Sequence, residues 1–231
     1  MSESNKRNFI VHGSILAIAG ILVRIIGMLY RIPVVNIIGS EGNGIYGAAF
    51  NIYNIMLVLS SYGLPMAVSK LVSARFTKRR YKSAAKVLRC SLMVAVCTGG
   101  IAALLVFFGA SFIENVIYGG GLPGLAVPLR ILAPTIFLVA ILGVIRGFFQ
   151  GQSTMIPTAV SQILEQIVNA IVSIAAGYGM MKAFASSPDV AAYGAAGSTL
   201  GTAMGALTAV LFMGFLYAVY TPTFNRLKRK D

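Results

Sequence analysis

Arg24 and Arg31 interrupt a long apolar run, Phe9–Ile38. A cation at mid-bilayer costs about 2.5–3.5 kcal/mol on insertion scales, so it ordinarily faces a protein interior or a wet cavity. The two arginines are seven residues apart. At 3.6 residues per turn they share one helix face, separated by roughly 10 Å of rise. That face offers two fixed positive charges to something anionic. Asn51 and Asn54 are i, i+3 neighbours in the next apolar run, suited to hydrogen bonding between helices or into a cavity. Arg146 closes a later run, positioned either to serve a cavity or to snorkel. Gln162, Glu165, Gln166 and Asn169 follow i, i+3, i+4, i+7 spacing and therefore also share a face. Glu165 is the acidic residue deepest in an apolar run. A carboxylate so placed either exchanges protons or holds Na⁺, or else pairs with Arg24 or Arg146 to fix the bundle.

The elements that must position these side chains are helices. A span needs ~20 apolar residues. Six stretches qualify, approximately 9–33, 44–68, 87–108, 127–149, 157–181 and 193–220. They are continuous rather than alternating, which disfavours a membrane β-barrel. The expected fold class is all-α: a polytopic membrane protein with a six-helix transmembrane bundle spanning residues 1–231. Pro33 with Gly39–Gly44 is expected to end the first helix, and Gly63 with Pro65 to kink the second. Residues 69–86 read as a basic loop and 221–231 as a basic tail. The last helix carries overlapping GxxxG pairs, Gly197/Gly201 and Gly201/Gly205, expected to pack within the bundle.

Composition agrees. Hydrophobic residues make up 57% of the 231, against about 45–50% in soluble domains. Mean hydropathy is +0.82. The net charge of +13 does not point to nucleic acid. Its carriers cluster beside the apolar runs: Lys6 and Arg7; then Lys70, Arg75, Lys78, Arg79, Arg80, Lys82, Lys86 and Arg89; then Arg226, Lys228, Arg229 and Lys230. The positive-inside rule puts both termini in the cytoplasm, with anionic membrane lipids as neighbours. No cleavable signal peptide is expected before the first run. Cys90 and Cys97 are too far apart on one helix for a disulfide and, with the single His12, too few for a metal. No catalytic set, nucleotide loop or cofactor motif stands out, so the chain does not read as an enzyme.

Several motifs together carry a resemblance. They are Arg24-Ile-Ile-Gly-Met-Leu-Tyr-Arg31-Ile-Pro33, Ile38-Gly-Ser-Glu-Gly-Asn-Gly44, Asn51-Ile-Tyr-Asn54, Ser60-Ser-Tyr-Gly-Leu-Pro65, Arg146-Gly-Phe-Phe-Gln-Gly151 and Ser161-Gln-Ile-Leu-Glu-Gln166. In this order they resemble the polysaccharide biosynthesis/stage V sporulation protein B family. That family lies in the multidrug/oligosaccharidyl-lipid/polysaccharide exporter superfamily, near the lipid II flippases. The resemblance implies a cytoplasmic-membrane flippase for undecaprenyl-diphosphate-linked saccharides in peptidoglycan, polysaccharide or spore cell-wall synthesis. It implies two six-helix lobes that alternate access around a central cavity, with first-helix arginines such as Arg24 meeting the diphosphate. The family arginine near the end of helix 2 has no counterpart. The chain holds about one lobe, so it is expected to be a fragment, a split product or a half-transporter, with its second lobe in cis or trans. Two alternatives remain: a cation-coupled drug or solute exporter using Glu165, or a truncated membrane subunit that transports nothing.

Overall fold

The computed structural model describes residues 3–230, with side chains from Ser14 onward. The side chains of Lys6, Arg7 and His12 lie outside the described residues. The chain folds as α1 (Glu3–Ser60), α2 (Gly63–Thr77), α3 (Tyr81–Phe112) with a π-helical turn (Ile113–Ile117), α4 (Ala126–Gly151), α5 (Ile156–Ala183) and α6 (Val190–Lys228). Among the described residues, five helical stretches are long and apolar enough to cross a membrane.

The count falls short of six because the first two expected spans form one run, Ser14–Thr77. Pro33 does not end the helix, which continues through it. The break falls at Gly39, with φ 71° and ψ −176°, a conformation open essentially to glycine alone. It divides α1 into arm α1a, residues 3–38, and arm α1b, residues 40–60. Across the break, the Arg31 guanidinium carbon sits 5.9 Å from the centre of the Tyr46 ring. A straight helix would separate those residues by about 22 Å, so the arms fold back on each other. The second expected span is interrupted at Ser61–Tyr62, close to Gly63 and Pro65 where a kink was expected. The basic segment 69–86 is mostly helical rather than a loop. α2 runs to Thr77, α3 begins at Tyr81, and the turn between them carries Arg79 at φ 55°. Likewise the expected tail is helical up to Lys228.

The bundle is apolar outside and small or polar within. Leu59, Met66, Met93, Phe108, Leu211 and Phe215 are exposed, while Thr135, Ser161, Ser173, Ser198 and Thr199 are buried. In water such a surface would aggregate; with lipid as solvent, small interior residues let helices approach closely. On α6, a Cβ added at Gly197, Gly201 or Gly205 would strike α5 at Ala176, Ser173 and the Glu165 carbonyl respectively. The GxxxG pairs thus pack within the bundle. A second ridge, Gly143, Gly147 and Gly151 on α4, receives Pro65, Ser69 and Val72 of α2. Two apolar clusters stack along the bundle. One, near the Gly39 bend, includes Ile45, Tyr53, Val106, Leu129 and Ala192. The other, near the basic residues, includes Val72, Leu88, Phe148, Met213 and Phe224. Between α3 and α4, Glu114 accepts hydrogen bonds from the Gly124 and Ala126 amides at 3.0 and 2.7 Å, satisfying donors at the start of α4.

Gly201→Leu should lower the thermal midpoint of the purified protein in detergent. Overpacking costs about 1–3 kcal/mol or more where the contacted atoms are backbone. Gly214→Ala, whose Cβ would meet nothing within 4 Å, should leave that midpoint unchanged or raise it.

Candidate functional site: a cavity between the arms of the first helix

The folded-back arms enclose a cavity of about 350 Å³, lined by Gly27, Tyr30, Arg31, Tyr46, Gly47, Phe50, Asn51 and Asn54. Its residues pair by their distance from the bend. Tyr30 and Arg31 precede Gly39 by nearly the interval at which Tyr46 follows it, and Gly27 matches Asn51 in the same way. By that spacing Arg24 stands level with Asn54, each fifteen residues from Gly39. Tyr46 and Phe50 rings lie 4.6 Å apart, and Phe50 meets Tyr53 edge-on at 5.7 Å. The lining therefore combines aromatic faces, two carboxamides, tyrosine hydroxyls and a guanidinium.

Arg31 and Arg24 are exposed, and neither has a carboxylate partner among the described residues. Arg31 rests over Tyr46, a contact that steadies a cation without neutralising it. Their charge is available to an anion.

Helix α5 supports α1a from behind the cavity. At Gly27 an added Cβ would lie 3.2 Å from Gln166 Nε2, so glycine there allows close approach. The Asn169 carboxamide donates to the Tyr30 hydroxyl at 3.3 Å and accepts from Ser173 at 2.9 Å. Ser173 is itself buried and lies within 2.8 Å of the Ser198 carbonyl on α6. A polar chain thus runs from the cavity wall through α5 to α6.

Arg146 and Glu165 form a separate unit. An Arg146 terminal nitrogen donates to Glu165 Oε2 at 2.8 Å, and Arg146 Nε donates to Ser161 Oγ at 2.9 Å. Ser161 in turn donates to the Thr158 carbonyl at 2.8 Å. The guanidinium is held by two partners, and the pair is largely buried, with side chains 14% and 26% exposed.

Of the residues singled out from sequence, Arg31, Asn51 and Asn54 meet at the cavity, with Arg24 beside it. Gln166 and Asn169 stand behind α1a, and Gln162 is half-buried one turn earlier on α5. Arg146 and Glu165 pair with each other away from the cavity lining. Sequence reasoning missed Tyr30 and Phe50. The Arg24–Gly27–Tyr30–Arg31 spacing would have found Tyr30, because all four lie close to one helix face.

Removing either partner of the Arg146–Glu165 pair should destabilise the protein, because the survivor is a largely buried, uncompensated charge. Arg146→Leu and Glu165→Leu should each lower the thermal midpoint. The double variant should lose less than the sum of the two, a coupling of about 1–3 kcal/mol in a double-mutant cycle.

The family model described as polysaccharide biosynthesis protein matches residues 10–231. The lipid II flippase MurJ of Bacillus subtilis (strain 168) is 34% identical over 176 residues, covering 74% of this chain and 32% of that protein. Stage V sporulation protein B of the same organism is 30% identical over 210 residues, covering 90% and 39%. Its uncharacterized membrane protein YabM is 30% identical over 213 residues, covering 92% and 38%. The chain thus spans about a third of the length of the curated relatives it matches. No solved structure matches it. With nearly the whole chain matched by the family model, this multi-pass helical membrane protein belongs to the polysaccharide biosynthesis protein family.

Proposed function

We propose that this chain forms one six-helix lobe of a flippase that moves an undecaprenyl-diphosphate-linked saccharide, such as a peptidoglycan or polysaccharide precursor, across the cytoplasmic membrane. The observation that carries this reading is the cavity-side pair Arg24 and Arg31, cations in an apolar arm without a carboxylate. A diphosphate supplies what they lack: charge-assisted, bidentate hydrogen bonds that a guanidinium fork matches. Asn51, Asn54, Tyr30 and Tyr46 offer hydroxyls and carboxamides to the sugars. The exposed apolar flank of α1a, including Ile18, Leu22, Ile25 and Leu29, leaves the polyprenyl tail in lipid.

The open side of the cavity calls for a second six-helix lobe, supplied in cis or trans, with access alternating as the lobes rock. The basic ends of α2, α3 and α6 face the cytoplasm, and both termini lie on that side. The transported lipid changes side without changing covalently, so the role is transport rather than catalysis. A cation-coupled exporter using Glu165 is less well supported, because Arg146 already engages that carboxylate at 2.8 Å.

The test is complementation of a flippase-depleted cell by the complete protein containing this lobe. Arg24→Ala and Arg31→Ala should each reduce flipping by about 10–100-fold at unchanged membrane level, the loss of one charged hydrogen bond. Arg24→Lys should retain part of the activity. Full activity of both alanine variants would overturn the diphosphate role.

A further inference from the structure

Tyr30 is half-buried and stands beside Arg31 on the cavity wall. Behind it, Asn169 on α5 is buried, with 8% of its surface exposed. A carboxamide offers N–H donors at one end and carbonyl lone pairs at the other. The Asn169 carbonyl oxygen accepts from Ser173 Oγ at 2.9 Å, a proton that the Ser198 carbonyl shares at 2.8 Å. It also accepts from Thr202 Oγ1 of α6 at 3.4 Å. Hydroxyls of two helices thus hold the carbonyl end, and the amide nitrogen is turned toward the Tyr30 hydroxyl, 3.3 Å away.

The other neighbour of that hydroxyl is Tyr46, on α1b. Tyr46 is 2% exposed. A hydroxyl so buried must donate to protein, and the Tyr30 oxygen is the acceptor beside it. The Tyr30 oxygen therefore receives from Asn169 and from Tyr46, and its own proton is left to point into the cavity. Arg31 is the next residue, and adjacent helical residues differ by only about 1.5 Å in height. The free O–H and the guanidinium stand at one depth. A ligand whose diphosphate lies on Arg31 brings its first sugar, not its distant ones, to Tyr30.

We propose that the Tyr30 hydroxyl, fixed as a donor by the positioning residue Asn169, binds an oxygen of the sugar attached directly to the diphosphate. This contact rests on the flippase function proposed above and adds to it a residue that selects the saccharide. The group it takes is a hydrogen-bond acceptor: an amide carbonyl, ring or hydroxyl oxygen. A sugar-free diphosphate engages the arginines and leaves the Tyr30 proton without a partner.

The experiment is titration of the complete protein containing this lobe, in detergent, with two probes: undecaprenyl diphosphate and an undecaprenyl-diphosphate-linked monosaccharide. Tyr30→Phe removes one oxygen and keeps the ring. It should weaken the saccharide-bearing lipid about 5–10-fold and leave the sugar-free lipid unchanged. Asn169→Ala should weaken the saccharide-bearing lipid about threefold in the parent and not at all in the Tyr30→Phe background. A residue that merely supports the fold would cost the same in both backgrounds and on both probes. Thr202→Val keeps the shape of threonine but removes its donor to the Asn169 carbonyl. It should act in the same direction as Asn169→Ala, and it carries the test if Asn169→Ala does not fold. Unchanged binding of the saccharide-bearing lipid by Tyr30→Phe, or equal losses on the two probes, would overturn the sugar contact. Additive losses in the double variant would overturn the positioning role of Asn169. If instead the parent holds the sugar-free lipid no better than the Arg24→Ala, Arg31→Ala variant does, the diphosphate role falls and this contact falls with it.

Discussion

Hydrocarbon offers no hydrogen bonds, so every polar side chain held at membrane depth must find its partner within protein, in a wet cavity or in a ligand. Three arginines meet that constraint differently. Arg146 is neutralised by Glu165 and braced by Ser161. Arg31 lines the opening between two arms of one folded-back helix, and the exposed Arg24 lies two turns earlier on the same arm; neither has a carboxylate partner among the described residues. Arg146 therefore acts as a structural tie, whereas Arg24 and Arg31 leave a standing demand for an anion. The difference is one of position, since residue type is the same throughout.

That position depends on glycine in two distinct ways. At Gly39 no neighbour would meet a Cβ, so the requirement is conformational: a backbone angle that other residues avoid lets α1b return alongside α1a. At Gly147 and Gly201 the requirement is space, because α2 and α5 backbone atoms occupy the place of a side chain. One kind of glycine makes the cavity, and the other makes the rigid frame behind it. Burial follows the same division. In the most apolar window of α4 half the residues are buried, against 6% for the first run. α4 is the packed centre, and α1 lies farther out, chiefly against α5 and α6.

The sequence was most legible where a pattern repeats. Long apolar runs marked the helices, i, i+3, i+4 spacing marked the polar face of α5, and GxxxG marked the contact of α6 with α5. It was least legible where three-dimensional neighbours decide. Pro33 looked like a helix end, yet the helix continues through it, because its local rule concerns only the preceding turn. Segment 69–86 looked like a loop because its charges masked the end of α2, which buries Val72, and the start of α3, which buries Ala84. Composition could name Glu165 as unusual but could not choose between Arg24 and Arg146 as its partner. That choice depends on which helix stands beside α5 at that depth. Phe50 carried no sequence signal at all: an aromatic residue in an apolar run becomes a cavity wall only once the opposite arm is in place.

The two arms are not equally held. α1b contributes Ile45, Tyr46, Ala49, Tyr53 and Leu57 to the buried core, whereas α1a over residues 14–38 buries Ala19, Val34 and Ile38. Between residues 20 and 33, α1a is tied to α5 by the Tyr30–Asn169 hydrogen bond, and at Gly27 it packs close to Gln166. An element with few buried apolar contacts opens at lower free energy than the core that supports it. The cavity therefore has one fixed wall and one lightly anchored wall, and both arginines sit on the lightly anchored one. Under the proposed function, capture of an anion by Arg24 and Arg31 would act directly on that wall. A ligand shifts a conformational equilibrium only through contacts that differ between its states, and under the proposed function the arm that carries both charges and the fewer buried apolar residues is where such a difference would arise.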